Sequence, residues 1–429
     1  MRYIPIAQEL YVNNRKNFAN RLLPNSIAIF NSNDIMPTNA DGSMAFKQNS
    51  DLLYLSGIDQ EESILVIYPD ARDGRLKEIL FLKETSETIA IWEGAKFSKQ
   101  EATALSAIKT VYWLQDFPTI LKGLLAEAEN IYLPTNEHTR NSNEVETRNA
   151  RFVKWCKEHY PLHQYHRTSP IINRLRSIKH PLEVAQIQKA CDITEKGFRR
   201  LLKFVKPGVT ENQIEAELIH EFLFNGSNGF AYGPIIASGI HSCTLHYVEN
   251  KEVCKGGDII LLDVAAEYGN YASDLTRVLP INGKFSTRQK QVYNAVLNVQ
   301  KQAIQMLKPG AIVKEINENV GSLVEKELVD LGLLSLEDIK NQDPAWPAYK
   351  KYFMHGTSHF LGLDVHDVGY FNEPIQAGMV FTCEPGIYIR EESLGIRIEN
   401  DILVTENGPV DLMKNIPIEA EDIEELMNN

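Results

Sequence analysis

Residues 258–279 read DIILLDVAAEYGNYASDLTRVL, two apolar runs on either side of Gly269-Asn270, and that arrangement signals a β-hairpin. With those two residues as the loop, Tyr268 opposes Tyr271, Ala265 opposes Asp274, and Asp263 opposes Thr276. Asp263 and Asp274 are then diagonal neighbours on one face, their backbones roughly 7 to 8 Å apart. That separation suits two carboxylates reaching inward to share cations spaced about 3.5 to 4 Å. A single acid on a strand is ordinarily a solvated charge, so the weight of the hairpin depends on what matches it elsewhere.

A match lies in the second half of the chain. One long helical pattern ends in Lys206-Pro207-Gly208 and another in Lys308-Pro309-Gly310, 102 residues on. Each is followed by a second amphipathic helix, TENQIEAELIHEFLF and then VKEINENVGSLVEKEL, and each half then turns strand-like. Gly257 leads by six residues to Asp263, and Gly378 leads by six to Glu384. Asp274 follows Asp263 by eleven residues, and Glu399 follows Glu384 by fifteen. His246 precedes Gly257 by eleven, and His366 precedes Gly378 by twelve. Each half thus supplies one histidine and two carboxylates in the same order, the pattern of an internal duplication whose overall identity has become low. In GIRIENDILV, residues 395–404, Ile396, Ile398 and Ile402 face one way while Arg397, Glu399 and Asp401 face the other.

HGTSHFLGLDVHD, residues 355–367, holds three of the eleven histidines. His355 and His359 stand four apart, as in the HExxH of a zinc protease, but Gly356 stands where such an enzyme carries its glutamate base. Either the three are incidental core and surface residues, or their acids come from elsewhere in the chain. Four carboxylates gathered at one partly buried place repel one another and raise one another's pKa. No matching set of lysines and arginines accompanies them, whereas two divalent cations would bring four positive charges and His359 a nitrogen ligand. An oxygen-rich set with one imidazole favours Mn²⁺, with Co²⁺, Fe²⁺ or Zn²⁺ as alternatives. It is unlike the cysteine-rich set of a structural zinc.

A length of 429 residues exceeds what one hydrophobic core usually covers, so two domains are expected. The first, 1–172, mixes the strand-like runs SIAIF, SILVIYP, KEILFLK and NIYLP with helical stretches at 116–128 and 143–157, an α/β reading. The second, 173–429, opens on a long helix with Pro181 at its start. A net charge of −13 argues against nucleic acid and anionic membrane as partners. Neither a signal peptide nor an apolar run of roughly 20 residues is present, so cytoplasmic residence is the default. The five cysteines are odd in number and lack C-x-x-C spacing, which reads as reduced thiols, Cys383 beside Glu384 included.

TLHYVEN, LLDVAAEYGNYASDLTR, HGTSHFLGLDVHD, EPGIY and GIRIEND resemble, in order and spacing, the signature of the pita-bread metallopeptidases, most closely the aminopeptidase P branch. NSDLLYLSG (residues 49–57) and IWEG (91–94) resemble that branch's amino-terminal domain. The resemblance implies an α/β (α+β) chain with a pseudo-twofold catalytic domain, and cleavage of the bond between an amino-terminal residue and a following proline. It implies a dinuclear metal centre on Asp263, Asp274, His359, Glu384 and Glu399 that activates a hydroxide, with Glu384 also accepting the water proton. His246, His355 and His366 would flank the substrate, and Arg397 and Tyr388 would occupy active-site positions. Peptides with proline second would be the partners, and the chain would form a homodimer or homotetramer, with Trp92 reaching the rim of a neighbouring site. A prolidase limited to dipeptides shares this site and is the alternative within enzymes. A methionine aminopeptidase is disfavoured by the extra domain, and creatine hydrolysis, which needs no metal, by the full ligand set. A silent peptide-binding member of the fold is the alternative of another class, although such proteins typically lose ligands and this chain keeps all five.

Overall fold

The structure, a computed structural model, describes residues 3–429. The chain forms two units, one spanning 5–176 and the other 177–429 together with residues 3 and 4. The helix Ser169–Ser177 ends at the division, so a boundary at 172–173 would cut it.

In the first unit the apolar runs become strands Ser26–Asn31, Ile64–Ile67, Glu78–Leu82 and Asn130–Leu133. Two strands outside those four runs, Thr110–Trp113 and Gln164–Arg167, close the edges of a six-stranded mixed sheet. Ser26–Asn31 lies inside it, antiparallel to Ile64–Ile67 and parallel to Asn130–Leu133. The helix Phe117–Leu125 lies within the stretch 116–128 expected to be helical, and Arg148–His159 starts five residues later than the expected 143–157. Ile27, Ile29, Val66, Phe81, Leu121 and Ile131 form the core. NSDLLYLSG is a capped helix: the Asn49 side chain accepts the amide hydrogens of Asp51 and Leu52, and Gly57 ends it at φ 71°.

The second unit carries the repeat. The helices Pro181–Phe204 and Glu211–Phe224 precede an antiparallel sheet of Ile235–Ser238, Ile259–Asp263 and Thr276–Pro280. Thr287–Ile304 and Val313–Asp330 precede a second, of Val380–Cys383, Asn400–Thr405 and Gly408–Asp411. Both KPG turns end in left-handed glycines, Gly208 at φ 92° and Gly310 at φ 87°. Their amides donate to Cys254 O and Ile375 O, each at 2.9 Å, residues that stand shortly ahead of the strand carrying an acid. The hairpin pairs Asp263 with Thr276 and Tyr268 with Tyr271, the register expected from its loop.

GIRIENDILV is not one strand. Leu394–Arg397 pairs with Gly386–Ile389, while Asn400–Thr405 pairs with Val380–Cys383. Between them the Ile398 amide donates to Pro385 O and that of Glu399 to Thr276 O, so the chain changes partners there. Both of its faces are buried. Nor is 355–367 a helix; Phe360 bridges Phe381 as an extended segment, so His355 and His359 are brought together by a loop.

Candidate metal centre

His359 is the hub. Its amide donates to Thr382 Oγ1 and its carbonyl accepts the Thr382 amide, which fixes the backbone against the strand running into Glu384. Its Nδ1–H donates to Phe360 O at 3.0 Å, leaving Nε2 as the nitrogen turned towards the acids. That nitrogen lies 3.5 Å from Asp274 Oδ2 and 3.6 Å from Glu384 Oε1. Ligand atoms of Asp274, His359 and Glu399 all fall within 4.8 Å of one another, and all three residues are buried. Glu399 Oε2 accepts the Thr276 hydroxyl at 2.6 Å, which joins the second sheet to the hairpin.

Asp263 sits beside this group at the end of its strand and is held by two donors. Tyr232 gives its hydroxyl hydrogen to Oδ1 at 2.6 Å, and Arg397 donates from Nη2 to Oδ2 at 2.5 Å. Arg397 donates further to Thr276 Oγ1 and to the Tyr388 hydroxyl. His355 Nδ1–H donates to Gly356 O, so Nε2 accepts the Tyr388 hydroxyl hydrogen at 2.8 Å. A continuous polar chain thus runs Asp263, Arg397, Tyr388, His355, and His355 Nδ1 lies 3.8 Å from Glu384 Oε2. The His366 ring stands perpendicular to that of His359, centroids 4.4 Å apart. His246 is exposed on the segment after Cys243, and the interactions tying the cluster together do not include it.

The whole chain has relatives arranged in the same way. The model of metallopeptidase family M24 matches residues 185–406, and that of the aminopeptidase P N-terminal domain matches residues 11–132. A Xaa-Pro aminopeptidase of Haemophilus influenzae is 33% identical over 425 residues, covering 95% of this chain and 94% of that one. The Xaa-Pro aminopeptidase of Escherichia coli is 30% identical over 98% of each chain. The chain belongs to metallopeptidase family M24. The structure of Pseudomonas aeruginosa aminopeptidase PepP superposes with a TM-score of 0.89 at 30% identity, covering 100% of this chain and 99% of that one. Zinc-substituted E. coli aminopeptidase P in complex with product gives 0.89 at 29% identity, covering 99% of each. The fold is therefore the pita-bread domain behind an aminopeptidase P type amino-terminal domain, and the chain is a hydrolase of the metallopeptidase class.

The electrostatics of this M24 centre fit the divalent cations on which the family depends. Burial pushes Asp263 up, with Asp274 adding to the effect and Arg397 opposing it. Burial drives Glu384 to about 7 against the pull of His359 and Arg397. Glu399 is raised well above the carboxylate range by burial, then by Asp274 and Glu384. For His359 burial acts downward, but Asp274 and Glu384 outweigh it and bring the imidazole to about 9. These carboxyls are thus too crowded to ionise together with one arginine and one histidine as company. Asp274, Glu384 and Glu399 around His359 Nε2, with Asp263 beside them, make an oxygen-rich group whose donor types suit hard or borderline divalent ions.

Three further side chains serve the centre. Tyr232 lies far ahead of Asp263, with no local pattern to point to it. Thr276 was placed opposite Asp263 by the hairpin register, and its bonds to Glu399 and Arg397 are what the register could not show. Asp401, on the acid face of its segment and fully buried, accepts the Asp274 amide at 3.0 Å and the Cys191 thiol at 3.5 Å. Cys383 is buried, and burial drives its thiol far above the ordinary range, as suits an inert packing residue.

Proposed function

We propose that the chain removes the amino-terminal residue from peptides with proline second, using two divalent cations, Mn²⁺ in preference, held by Asp263, Asp274, His359, Glu384 and Glu399. The observation that carries this reading is the convergence of Asp274 and Glu384 on Nε2 of His359, beside the chain from Asp263 to His355. The Xaa-Pro aminopeptidases that match nearly the full length support the substrate class. Cytoplasmic residence and a homodimer or homotetramer belong to the same reading.

When bound, two divalent cations supply Lewis acidity and lower the pKa of water. Glu384, within reach of both His355 and His359, accepts the proton of the attacking water and returns it to the proline nitrogen as the C–N bond breaks. That return is needed because the nitrogen of an Xaa-Pro bond carries no hydrogen and leaves as a secondary amine. His366, packed edge-on against His359, and His355, once its Nδ1–H turns from Gly356 O towards the substrate, supply hydrogen bonds to the developing oxyanion and to the leaving nitrogen. Arg397 and Tyr388 hold the His355 ring and keep the hydrogen on Nδ1, the nitrogen that faces Glu384. His246, exposed on its loop, is the candidate for contact with the outer part of the peptide.

A short Xaa-Pro-Xaa peptide tests this. Expected is release of the first residue, dependent on added Mn²⁺, faster than hydrolysis of Gly-Pro, and abolished in Asp263→Ala and Glu384→Ala while their circular dichroism stays that of the parent. Full turnover after exhaustive chelation would overturn it.

A further inference from the structure

Beneath the loop of residues 355–367 lies a buried ion pair. Lys179 Nζ meets Asp367 Oδ2 at 2.9 Å, with both side chains 1% exposed and the two residues 188 positions apart in the sequence. Gly362 makes the meeting feasible, since a Cβ there would stand 2.0 Å from Asp367 Oδ2 and 2.8 Å from Lys179 Cε. Asp367 follows His366, its Oδ1 accepts the Val368 amide, and its own amide donates to Phe360 O at 2.9 Å. Phe360 O is also the acceptor for His359 Nδ1–H at 3.0 Å. One carbonyl therefore receives a bond from the residue beside His366 and another from the His359 ring. Lys179 ties the same spot to the rest of the domain. Its amide donates to Gly378 O at the start of the strand running to Glu384, and Gly362 O accepts the Ala272 amide of the hairpin.

From this geometry we propose that the Lys179–Asp367 pair is a positioning device, setting the angle at which His366 stands to His359 across the centre. Neither side chain is one of the five expected ligands, so the pair acts through His366, and this rests on the reading that gives His366 a part in the reaction. A charge pair in so dry a place is directional, where an apolar contact would let the turn slide. Because the oxyanion and leaving nitrogen need their donor as bonds change, a misplaced His366 costs turnover more than binding.

The test is a double-mutant cycle on the metal-loaded enzyme, with kcat, KM and metal content measured for Asp367→Asn, His366→Ala and their combination. Expected for Asp367→Asn is a kcat lower by about tenfold or more, KM within about twofold and unchanged metal stoichiometry. In the His366→Ala background the same substitution should change kcat by less than about twofold. Should Asp367→Asn not fold, Lys179→Met/Asp367→Asn removes both buried charges and should show the same cycle. Losses that multiply in the combined variant, or wild-type kcat in Asp367→Asn, overturn the positioning role while leaving the catalytic reading intact. Wild-type kcat in His366→Ala overturns both, and so separates the two failures.

Discussion

Glu183 shows at the scale of one residue what burial does to a carboxyl that has a single cation to share. It caps the helix Pro181–Phe204 by accepting the His180 amide, and it accepts the Tyr271 hydroxyl hydrogen at 3.1 Å. Burial raises it to about 7, against the lowering effect of Lys179, whose charge is already engaged by Asp367. Its unfolded value is the ordinary 4.5, so from about pH 4.5 to 7 the folded chain holds a proton that the unfolded chain has lost. Its contribution to stability is fully present below pH 4.5 and is lost as pH rises through 7, amounting to on the order of 3 kcal/mol. Glu183→Gln is neutral throughout and keeps both contacts, its amide oxygen accepting from His180 and its NH₂ donating to the Tyr271 oxygen. Urea titrations at pH 5 and pH 8 should show the variant gaining on the parent at the higher pH. Parallel pH profiles would dismiss the assignment. Tyr232 gives a companion case: Tyr232→Phe removes one of the two donors to Asp263 and should lower kcat/KM by a few-fold to tenfold, with Mn²⁺ affinity falling in step.

The elements of the catalytic unit are set by turns as much as by strands. Gly310 and Gly378 are both left-handed, at φ 87° and 91°, and differ in what surrounds them. A Cβ on Gly310 meets nothing within 4 Å, whereas one on Gly378 would stand 2.9 Å from Ile178 Cγ2 and 3.4 Å from the Lys179 carbonyl. Gly310→Ala should therefore cost about 1 kcal/mol of backbone strain alone, and Gly378→Ala clearly more, with chemical denaturation as the measure. Equal costs would mean that strain rather than crowding sets both. Such turns are why the repeat is legible in the chain: KPG and the glycine six residues ahead of an acid are local chemistry. The hairpin register follows from its loop in the same way. What escapes is whatever depends on distant partners. Gln164–Arg167 is an edge strand with no buried side chain, so no apolar run marks it, and Thr110–Trp113, TVYW, is a four-residue edge run with one buried side chain, too short to stand out. The break at Ile398–Glu399 is hidden because alternation continues through it while the partner strand changes. His246 holds the same place in its half as His366 does in the other, yet the structure leaves it exposed.

Across the molecule, a net charge of −13 and three carboxyls gathered around His359, with Asp263 beside them, mean that the chain folds against its own repulsion unless cations are present. On the proposed ligand set, metal affinity is a part of folding stability, because a site assembled from the hairpin, the loop of residues 355–367 and the second sheet does not exist in the unfolded chain. Mn²⁺ held at a hundredfold excess over its dissociation constant should add about 2.7 kcal/mol, read as a rise in the unfolding midpoint that chelation reverses. Glu399 offers the sharper version. It is 2% exposed, and replacing it by glutamine keeps an oxygen for the Thr276 hydroxyl while removing one like charge from a crowded, dry site. Without metal, Glu399→Gln should be at least as stable as the parent; with saturating Mn²⁺ it should be the less stable of the two. The order of the two midpoints reverses only if the acids are gathered to hold cations. A variant less stable under both conditions by the same margin would assign Glu399 a packing role and remove it from the centre.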